Sequence, residues 1–353
     1  MLSKEISEKV LAVGCAYDPP KGGVAQVMYT YSKEVYPVFQ CVVNSANGGA
    51  LIKLWLAING LIKMAWKLAL NKNLRIVHIH TASYNSFKRS SWFVRLAKAM
   101  GRKVVLHIHG GGFREYYNTN PSWILKILKK ADCVLALTDS WRKFYSDDLQ
   151  LPNVVTVPNI VSNPQIKGVE HDGRLHLLFL GFIVEQKGIF DLIEVIKKHK
   201  AEWNGKLLLH VGGSHEVERL QSFIKNNGLE NLIQYEGWVS GDKKIMLLNL
   251  MDAYILPSYI EGLPISILEA LSYGKPVITT PVGGIPEVIN ERNGFLFEPS
   301  DQEAMYKIIN SIVLNPTRLK EKAVNAKNSV DKNFPNSIAG ILGVVYNKLL
   351  NEE

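Results

Sequence analysis

The segment LPSYIEGLPISILEALSYGKPVITTPVGGIPEVI, from Leu256 to Ile289, places one helix-length stretch between two short apolar runs. Pro264 is predicted as the first residue of the helix, and Gly274, with Pro276 just beyond it, marks its end. Apolar residues cover most of the circumference of this helix, so we expect it to be buried. An apolar strand, a buried helix and a second apolar strand are the repeating unit of a parallel α/β sheet.

The same alternation continues along the whole chain. The predicted strands are Val10–Ala16, Val38–Val43, Arg75–His80, Lys103–His109, Cys133–Thr138, Val154–Val157, Leu175–Gly181, Lys206–Val211, Ile233–Glu236, Ala253–Leu256, Pro276–Thr280 and Gly294–Phe297. Near-continuous apolar strands separated by helices are typical of parallel sheets covered on both faces. Two sets of about six strands predict an α/β fold of two doubly wound, Rossmann-like domains in tandem.

The polar segment from Pro158 to Arg174 lacks apolar periodicity, and we expect the domain boundary there. We predict a first domain at 1–165 and a second at 166–336, followed by a helix at 337–353 that can pack back on the first domain. Two such domains facing each other form a cleft at the carboxyl ends of their strands, where sheets of this kind bind ligands.

The composition is that of a globular protein, and its charge is unevenly spread. The 353 residues are 47% hydrophobic and 21% charged, with a net charge of +9. Residues 1–165 hold 21 Lys and Arg against nine Asp and Glu, whereas residues 166–353 hold 20 against 23. The first half therefore favours an anionic partner. Nucleic acid is not expected, because the sequence contains no RNP motif or zinc module.

The basic charge concentrates in the segment KRSSWFVRLAKAMGRK, residues 88–103, which also contains Trp92 and Phe93. Basic residues interleaved with aromatic ones are typical of a helix that rests on an anionic membrane surface. The alternative is a helix packed on the core with a solvated basic face. The first interpretation predicts a peripheral membrane protein.

The sequence also predicts a cytoplasmic location. The three cysteines lie in apolar strand-like runs without metal-ligand spacing, and the first residues, MLSKEISEKV, do not resemble an export signal. The most apolar window, Leu51–Leu70, contains Lys53, Lys63 and Lys67, so a transmembrane helix is not expected. We predict a cytoplasmic protein that can associate with the inner face of the cytoplasmic membrane.

Two carboxylates in the opening segment carry the chemical prediction. Glu269 lies in the middle of the buried helix, and a buried carboxylate requires a polar partner. A vicinal diol such as a ribose is suitable, and a structural salt bridge is the alternative. Glu261 precedes the helix, and the amides of Gly262 and Leu263 are expected at its N-terminus as an anion site. A sugar, a pyrophosphate and a ribose match these three features.

Glu261 and Glu269 form an E-x7-E spacing, flanked by EGLPISILEALSYGKPVI and PVGGIPEVI. These motifs resemble the retaining glycosyltransferases of family 4, also called glycosyl transferases group 1, which have the GT-B fold. The resemblance implies that Glu261 contacts donor-sugar hydroxyls and that Glu269 binds the ribose. It also implies that the Gly262 and Leu263 amides meet the donor. Gly283 and Gly284 would form a turn close to the donor, with a purely structural turn as the alternative.

The segment LFLGFIVEQKGIFDL, from Leu178 to Leu192, resembles the strand, loop and helix that supply two basic residues to the pyrophosphate. Lys187 matches the lysine of that pair. Phe182 stands where the family has an arginine, so stabilisation of the leaving diphosphate is expected to be weaker. Arg114 is our candidate for a replacement cation.

In the first half, Gly22 and Gly23 follow the first strand, where the family has a loop facing the acceptor and the donor phosphates. The segment VVLHIHGGGFREYY places His109 at the end of a strand, where the resemblance implies a hydrogen bond to a donor-sugar hydroxyl. Two HIH pairs, His78 with His80 and His107 with His109, raise the question of a metal. No carboxylate or cysteine accompanies either pair at ligand spacing, so we do not expect a metal there. The resemblance also implies that no metal is needed, and we expect no cofactor, because the nucleotide sugar is a substrate.

The resemblance as a whole implies a metal-independent, retaining hexosyltransferase of bacterial surface-polysaccharide synthesis. The donor would be a nucleotide sugar, with UDP-sugars favoured and GDP-mannose next, and the acceptor a saccharide or a lipid-linked saccharide. Two alternatives remain open at this point. They are a non-catalytic sugar-nucleotide-binding subunit, suggested by Phe182, and a sugar-nucleotide epimerase on the same fold.

Overall fold

The computed structural model describes residues 1–352, which form two compact units. The first unit consists of Met1–Ser162 and the described residues from Lys332 onward, and the second of Asn163–Asp331. The predicted boundary between residues 165 and 166 lies three residues beyond the observed division. The final helix belongs to the first unit, so the chain returns to the unit in which it begins.

The first unit contains a six-stranded parallel sheet. Its strands are β1 (Val10–Cys15), β2 (Gln40–Ser45), β3 (Ile76–Thr81), β4 (Lys103–Ile108), β5 (Cys133–Ala136) and β6 (Val154–Thr156). Their spatial order is β2-β1-β3-β4-β5-β6, so the strand order changes direction between β1 and β3. Side chains of β1, β3 and β4 are buried along almost their whole length, because helices cover both faces.

The helices of this unit before the division are α1 (Lys4–Glu8), α2 (Gly23–Thr30), α3 (Ala50–Leu70), α4 (Asn85–Ala99), α5 (Phe113–Thr119), α6 (Pro121–Leu128) and α7 (Asp139–Lys143). Short π-helical turns extend α2 and α7, at Tyr31–Val35 and Phe144–Asp148. After the second unit, the chain adds a last long helix to the first unit.

This last helix, α15 (Pro335–Asn351), packs on the first sheet and forms hydrogen bonds with it through buried polar groups. The hydroxyl of Tyr346 lies 2.6 Å from Nδ1 of His78 on β3 and also bonds the hydroxyl of Tyr36. All three side chains are buried. These contacts hold the C-terminal helix on the sheet of the first unit; residue 353 lies outside the described residues.

The second unit repeats the architecture. Its strands are β7 (Leu175–Ile183), β8 (Leu207–His215), β9 (Ile233–Gly237), β10 (Ala253–Leu256), β11 (Val277–Thr279) and β12 (Gly294–Leu296), in the spatial order β12-β11-β10-β7-β8-β9. The order changes direction between β7 and β10. In open parallel sheets the loops that follow two such strands form the usual ligand site.

The helices of the second unit are α8 (Ile189–Lys198), α9 (Lys200–Trp203), α10 (Val217–Asn227), α11 (Gly241–Leu250), α12 (Ile265–Ser272), α13 (Gln302–Leu314) and α14 (Thr317–Asn328). Helix α12 is the one predicted from the opening segment. Pro264 is its N-cap residue rather than its first residue, and Gly274 follows it with a φ of 70°. Most of its side chains are buried, as predicted.

All twelve predicted strands are present, and the two parallel α/β sheets confirm the predicted fold class. The largest difference is at β8, which continues from Val211 to His215. The prediction ended this strand where apolar residues stop, but the backbone stays paired with Gly181–Ile183 of β7. Among residues 1–352, no helix is both long and apolar enough to cross a membrane.

Candidate functional site

The strongest candidate site is an ion pair at the carboxyl ends of β7 and β10. Lys187 follows β7 in a short 3₁₀ turn, and Glu261 lies in the loop after β10. Nζ of Lys187 donates to Oε1 of Glu261 at 2.5 Å, and the hydroxyl of Ser258 donates to the same oxygen at 2.7 Å. The Glu261 side chain is only 8% exposed. Two hydrogen bonds therefore stabilise the Glu261 carboxylate, which has little contact with solvent.

Backbone contacts hold the two loops together. The amide of Tyr259 donates to the carbonyl of Gln186 at 3.0 Å. Gly188 has a φ of 67°, and a Cβ there would lie 2.0 Å from the carbonyl oxygen of Pro257. Only glycine permits this approach. The backbone therefore fixes the spacing between the loop that carries Lys187 and the loop that carries Glu261.

Gly283 and Gly284 support Glu261 from the other side. The amide of Gly284 donates to the carbonyl of Gly262 at 2.6 Å. Gly283 has a φ of 59°, and a Cβ there would lie 1.8 Å from the backbone oxygen of Glu261. The two glycines thus form a turn packed directly on the Glu261–Gly262 backbone. This is the structural role that the sequence left open, and their contact with a donor stays a prediction.

Glu269 lies on α12 and has a polar partner. Nζ of Lys244, on α11, donates to its Oε1 at 2.6 Å, and both side chains are mostly buried. This is the salt bridge that stood as the alternative to a ribose. Gly262 and Leu263 precede the N-cap residue Pro264, and both are buried. The structure therefore brings Lys187, Glu261 and the α12 N-terminus together, while Glu269 is already paired.

Phe182 lies on β7 at the position where a second cation was expected. Its ring packs 4.1 Å from the ring of His215, and its side chain is 37% exposed. Arg114, the candidate replacement, belongs to α5 of the first unit. Its guanidinium lies over the ring of Phe144 at 4.4 Å and 3.7 Å from a carboxylate oxygen of Asp148. Arg114 thus has local partners of its own.

In the first unit, Gly22 and Gly23 begin α2 and line a cavity of about 470 Å³. The basic residues Lys21, Lys53 and Arg89 also line it, together with one acidic residue, Asp18. The backbone amides at the start of α2 and three cations make this cavity suitable for an anion.

His109 follows β4 within a network of neutral imidazoles. Its Nδ1 lies 3.3 Å from Oδ1 of Asn159, and its Nε2 lies 3.0 Å from Nδ1 of His80. Because an amide oxygen only accepts, Nδ1 of His109 carries the proton and Nε2 accepts from His80. Desolvation by the surrounding protein lowers the pKa of His109 to about 4, and the bond to Asn159 opposes this in part. His109 is therefore neutral at pH 7.

Two groups of residues within the described chain have metal-ligand atoms close together. The first is His78, His80 and His107, whose rings are buried and nearly stacked. Nδ1 of His78 already bonds the hydroxyl of Tyr346, and Nε2 of His107 bonds the carbonyl of Val157, so these rings have protein partners. The second group is His171, Asp172 and His176, in which Asp172 already forms a salt bridge with Arg174. We assign a metal to neither group.

The basic segment 88–103 covers most of α4 and the start of β4. Phe93 and Val94 are buried in the core, while Trp92 is exposed. Nζ of Lys98 donates to the carboxylate of Asp132 at 2.9 Å. The helix is therefore packed on the core, and its outer face is basic.

Three residues of these networks were missed by the sequence analysis. They are Ser258, Lys244 and Asn159, the partners of Glu261, Glu269 and His109. Ser258 could have been inferred, because it lies three residues before Glu261 in the same loop. Lys244 and Asn159 could not, because each comes from an element distant in sequence from its partner.

Two family models match the chain. The model described as Glycosyltransferase Family 4 matches residues 24–163, and the model described as Glycosyl transferases group 1 matches residues 163–330. Together the two models cover residues 24–330 of the chain. The models meet at residue 163, where the second compact unit begins.

Several curated proteins are similar in sequence. An uncharacterized glycosyltransferase of Methanocaldococcus jannaschii is 27% identical over 85% of this chain and 79% of its own length. A putative colanic acid biosynthesis glycosyltransferase of Salmonella typhimurium is 24% identical over 51% of this chain and 47% of its own. A lipopolysaccharide 1,6-galactosyltransferase of Escherichia coli is 27% identical over 42% of this chain and 41% of its own length. The match thus spans about half or less of the length of the latter two.

Solved structures share the fold. Sucrose-phosphate synthase from Thermosynechococcus elongatus matches with a TM-score of 0.75 at 17% identity, over 98% of this chain and 100% of that one. Anabaena HepE, solved in complex with UDP and glucose, matches with a TM-score of 0.74 at 16% identity, over 97% of this chain and 99% of that one. At these identities the likeness concerns the fold, which is that of GT-B glycosyltransferases.

Proposed function

We propose that this protein is a retaining hexosyltransferase that moves a sugar from a nucleotide sugar, a UDP-sugar first of all, to a saccharide or lipid-linked saccharide acceptor. The observation that carries the proposal is the buried Lys187–Glu261 pair at the point where the sheet order of a glycosyltransferase domain changes direction. The UDP and glucose bound to HepE support the choice of donor. GDP-mannose is the next candidate.

In the proposed mechanism, the bond between the anomeric carbon and the donor phosphate breaks while the acceptor oxygen attacks from the same face. The acceptor proton passes to the departing phosphate oxygen, so neither a carboxylate nucleophile nor a metal is required. Lys187 stabilises the charge that develops on the leaving diphosphate, because its cation is largely desolvated and already positioned. Glu261 binds hydroxyls of the sugar and orients Lys187.

The other contacts follow the same assignment. Glu269 accepts hydrogen bonds from the ribose and exchanges its bond to Lys244 for them. The backbone of Gly262 and Leu263 meets the phosphates. Neutral His109 hydrogen-bonds a sugar hydroxyl, for which it gives up one of its present partners.

On the acceptor side, we assign the basic cavity beside Gly22 and Gly23 to the anionic part of a lipid-linked acceptor or to the donor phosphates. Cell-surface polysaccharide synthesis fits the relatives in Salmonella and Escherichia coli. We place the activity in the cytoplasm, at the inner face of the membrane, where the basic first unit can meet anionic lipid.

A panel of UDP-, GDP- and ADP-sugars, assayed in EDTA, tests the proposal. We expect one nucleotide to raise the melting temperature and its sugar donor to be hydrolysed slowly, with loss of hydrolysis in Lys187→Met. Stabilisation with no turnover, even when lipid extract is added, would favour the non-catalytic binding subunit, for which Phe182 is the specific argument. Conversion of the donor to a second sugar without acceptor would favour an epimerase.

A further inference from the structure

Helix α3 presents an apolar face to solvent. The exposed large apolar residues of this helix are Leu51, Ile52, Leu54, Trp55, Ile58, Ile62, Trp66 and Leu70. Leu51 is 82% exposed and Trp66 is 64% exposed. At about 3.6 residues per turn, the three- and four-residue spacings between Leu51, Trp55, Ile58, Ile62 and Trp66 place them on one side of the helix.

The opposite side of α3 packs against the core of the first unit. Ala57, Gly60, Met64 and Leu68 are buried. At Gly60 a Cβ would lie 2.9 Å from the carbonyl oxygen of Val43 on β2, so the helix packs closely against the sheet. The apolar outer face is therefore fixed along the surface of the unit. A surface helix normally carries polar residues there, and an apolar face marks an interaction site.

The charged residues of α3 and of the sequence around it are of one sign. Lys53, Lys63 and Lys67 are the charged residues of α3, and residues 35–114 contain twelve Lys and Arg but no Asp or Glu. A helix with tryptophans and aliphatic residues on one face and only lysines among its charges is typical of helices that lie in the interface of an anionic bilayer. A protein partner would need a matching acidic and apolar groove, whereas an anionic leaflet supplies both features without a specific shape.

We propose that α3 is a membrane-docking helix, which inserts its outer face into the interface of an anionic bilayer while Lys63 and Lys67 meet lipid headgroups. The proposal relocates the membrane contact predicted for residues 88–103, because Phe93 and Val94 of α4 are buried. This inference rests on the proposed function, because a lipid-linked acceptor would require the protein to work at a membrane. Lys53 lines the basic cavity, so the docking helix begins beside the proposed acceptor site.

Flotation of the full chain with vesicles tests the proposal. The vesicles consist of phosphatidylcholine, alone or mixed with phosphatidylglycerol. The wild type should bind the anionic vesicles. The variant Leu51→Gln/Ile58→Gln/Ile62→Gln should bind them at least about a hundredfold more weakly, because glutamine keeps the helix but removes the apolar side chains. Lys63→Gln/Lys67→Gln should weaken binding by about thirtyfold.

Matched controls separate this surface from general effects. Leu314→Gln/Val324→Gln/Val344→Gln removes three comparably exposed apolar residues from other helices and should bind as the wild type does. Lys88→Gln/Arg95→Gln removes charge from α4 and should have a smaller effect than the loss of the two α3 lysines. Donor hydrolysis without vesicles should be unchanged in every variant, so a failure to bind vesicles is distinguishable from a failure of the proposed function.

Two outcomes would overturn the proposal. One is undiminished flotation of the triple α3 variant. The other is a wild type that ignores vesicles but forms a dimer, measured by light scattering, which the triple α3 variant loses. The second result would assign the face to another copy of the chain.

Discussion

Two mostly buried glutamates of the second unit, Glu261 and Glu269, each bond a lysine from another element. The two pairs differ in what surrounds them. Glu261 also accepts from Ser258, and its backbone is supported by Gly283. Glu269 accepts from Lys244 on α11, through the oxygen Oε1. A ribose can bind Glu269 only if its hydroxyl reaches the carboxylate whose Oε1 accepts from Lys244.

Lys187→Met should remove activity and also destabilise the fold. Loss of the cation leaves the Glu261 carboxylate buried beside Ser258 alone, which should cost about 2 kcal/mol after allowance for the partial exposure of Lys187. Adding Glu261→Gln to Lys187→Met removes the buried negative charge and gives a double variant. The double variant should therefore regain most of the stability in urea unfolding but none of the donor turnover, which should stay about a hundredfold or more below wild type.

An opposite pattern would refute the assignment. If Lys187→Met unfolds at the same urea concentration as the wild type and keeps its turnover, the pair is neither structural nor catalytic. If the double variant regains turnover together with stability, neither the Lys187 cation nor the Glu261 carboxylate takes part in the reaction.

Glu269 should distinguish ribose from deoxyribose. If its carboxylate accepts from the ribose hydroxyls, the wild type should bind UDP about tenfold or more tightly than 2′-deoxy-UDP, since hydrogen bonds to charged groups contribute about 1.5–3 kcal/mol. In Glu269→Gln that preference should shrink toward unity. Calorimetric titration measures both affinities. Equal preference in wild type and variant would leave Glu269 as a structural partner of Lys244.

At the scale of elements, the loops after β7 and β10 are positioned by backbone rather than by side chains. The bond from Tyr259 to Gln186 and the close approaches of Gly188 and Gly283 fix where Lys187 and Glu261 can lie. The glycine turn after β11 is thus part of the site even without touching a ligand.

Gly283→Ala should therefore damage function as well as stability. Gly228 provides a matched control, because it has the same φ of 59° but no neighbouring atom within 4 Å of the position that a Cβ would take. Both substitutions incur about 1–2 kcal/mol of left-handed strain. Gly283→Ala should cost roughly 1–3 kcal/mol more through its clash with the Glu261 backbone, and should weaken nucleotide binding. Urea unfolding and calorimetric titration measure the two effects. Equal losses of stability and unchanged binding in both variants would refute the close contact.

The elements themselves were largely predictable from the sequence. Most strands contain a short apolar run, and Gly274 with Pro276 marked the end of α12, so local residues determined these features. The predicted roles of Lys187 and the two glutamates rest on the family resemblance of their motifs, and the structure brings Lys187 and Glu261 into contact. Their partner Lys244 was not, because side-chain pairing across distant elements leaves no local pattern. The outward apolar face of α3 was also missed: its composition was noted, but only the structure shows which side is buried.

At the scale of the whole molecule, the first unit buries four neutral imidazoles close together. Burial lowers the pKa values of His78, His80 and His107 well below the ordinary 6.5, and that of His109 to about 4. In the unfolded chain these groups bind protons below about pH 6.5. The unfolded state therefore takes up more protons than the folded state as the pH falls, and stability is lost in that direction.

The chain should accordingly become less stable between pH 6.5 and pH 4. His109 alone should account for a loss of about 2 kcal/mol at pH 5. In His109→Gln the decline of the urea-unfolding free energy from pH 7 to pH 5 should be shallower by about that amount. An unchanged slope would mean that His109 does not remain neutral in the folded protein.

Hydrogen–deuterium exchange with and without a saturating nucleoside diphosphate tests the central claim most directly. UDP is the first probe, with GDP or ADP in its place where the melting-temperature panel selects one. We predict slower exchange in the segments 180–190 and 258–271, which carry Lys187, Glu261 and Glu269, and in Glu269→Gln we expect the same protection to require about tenfold more nucleotide. Saturated binding with protection confined to other segments would contradict the assignment of the donor site.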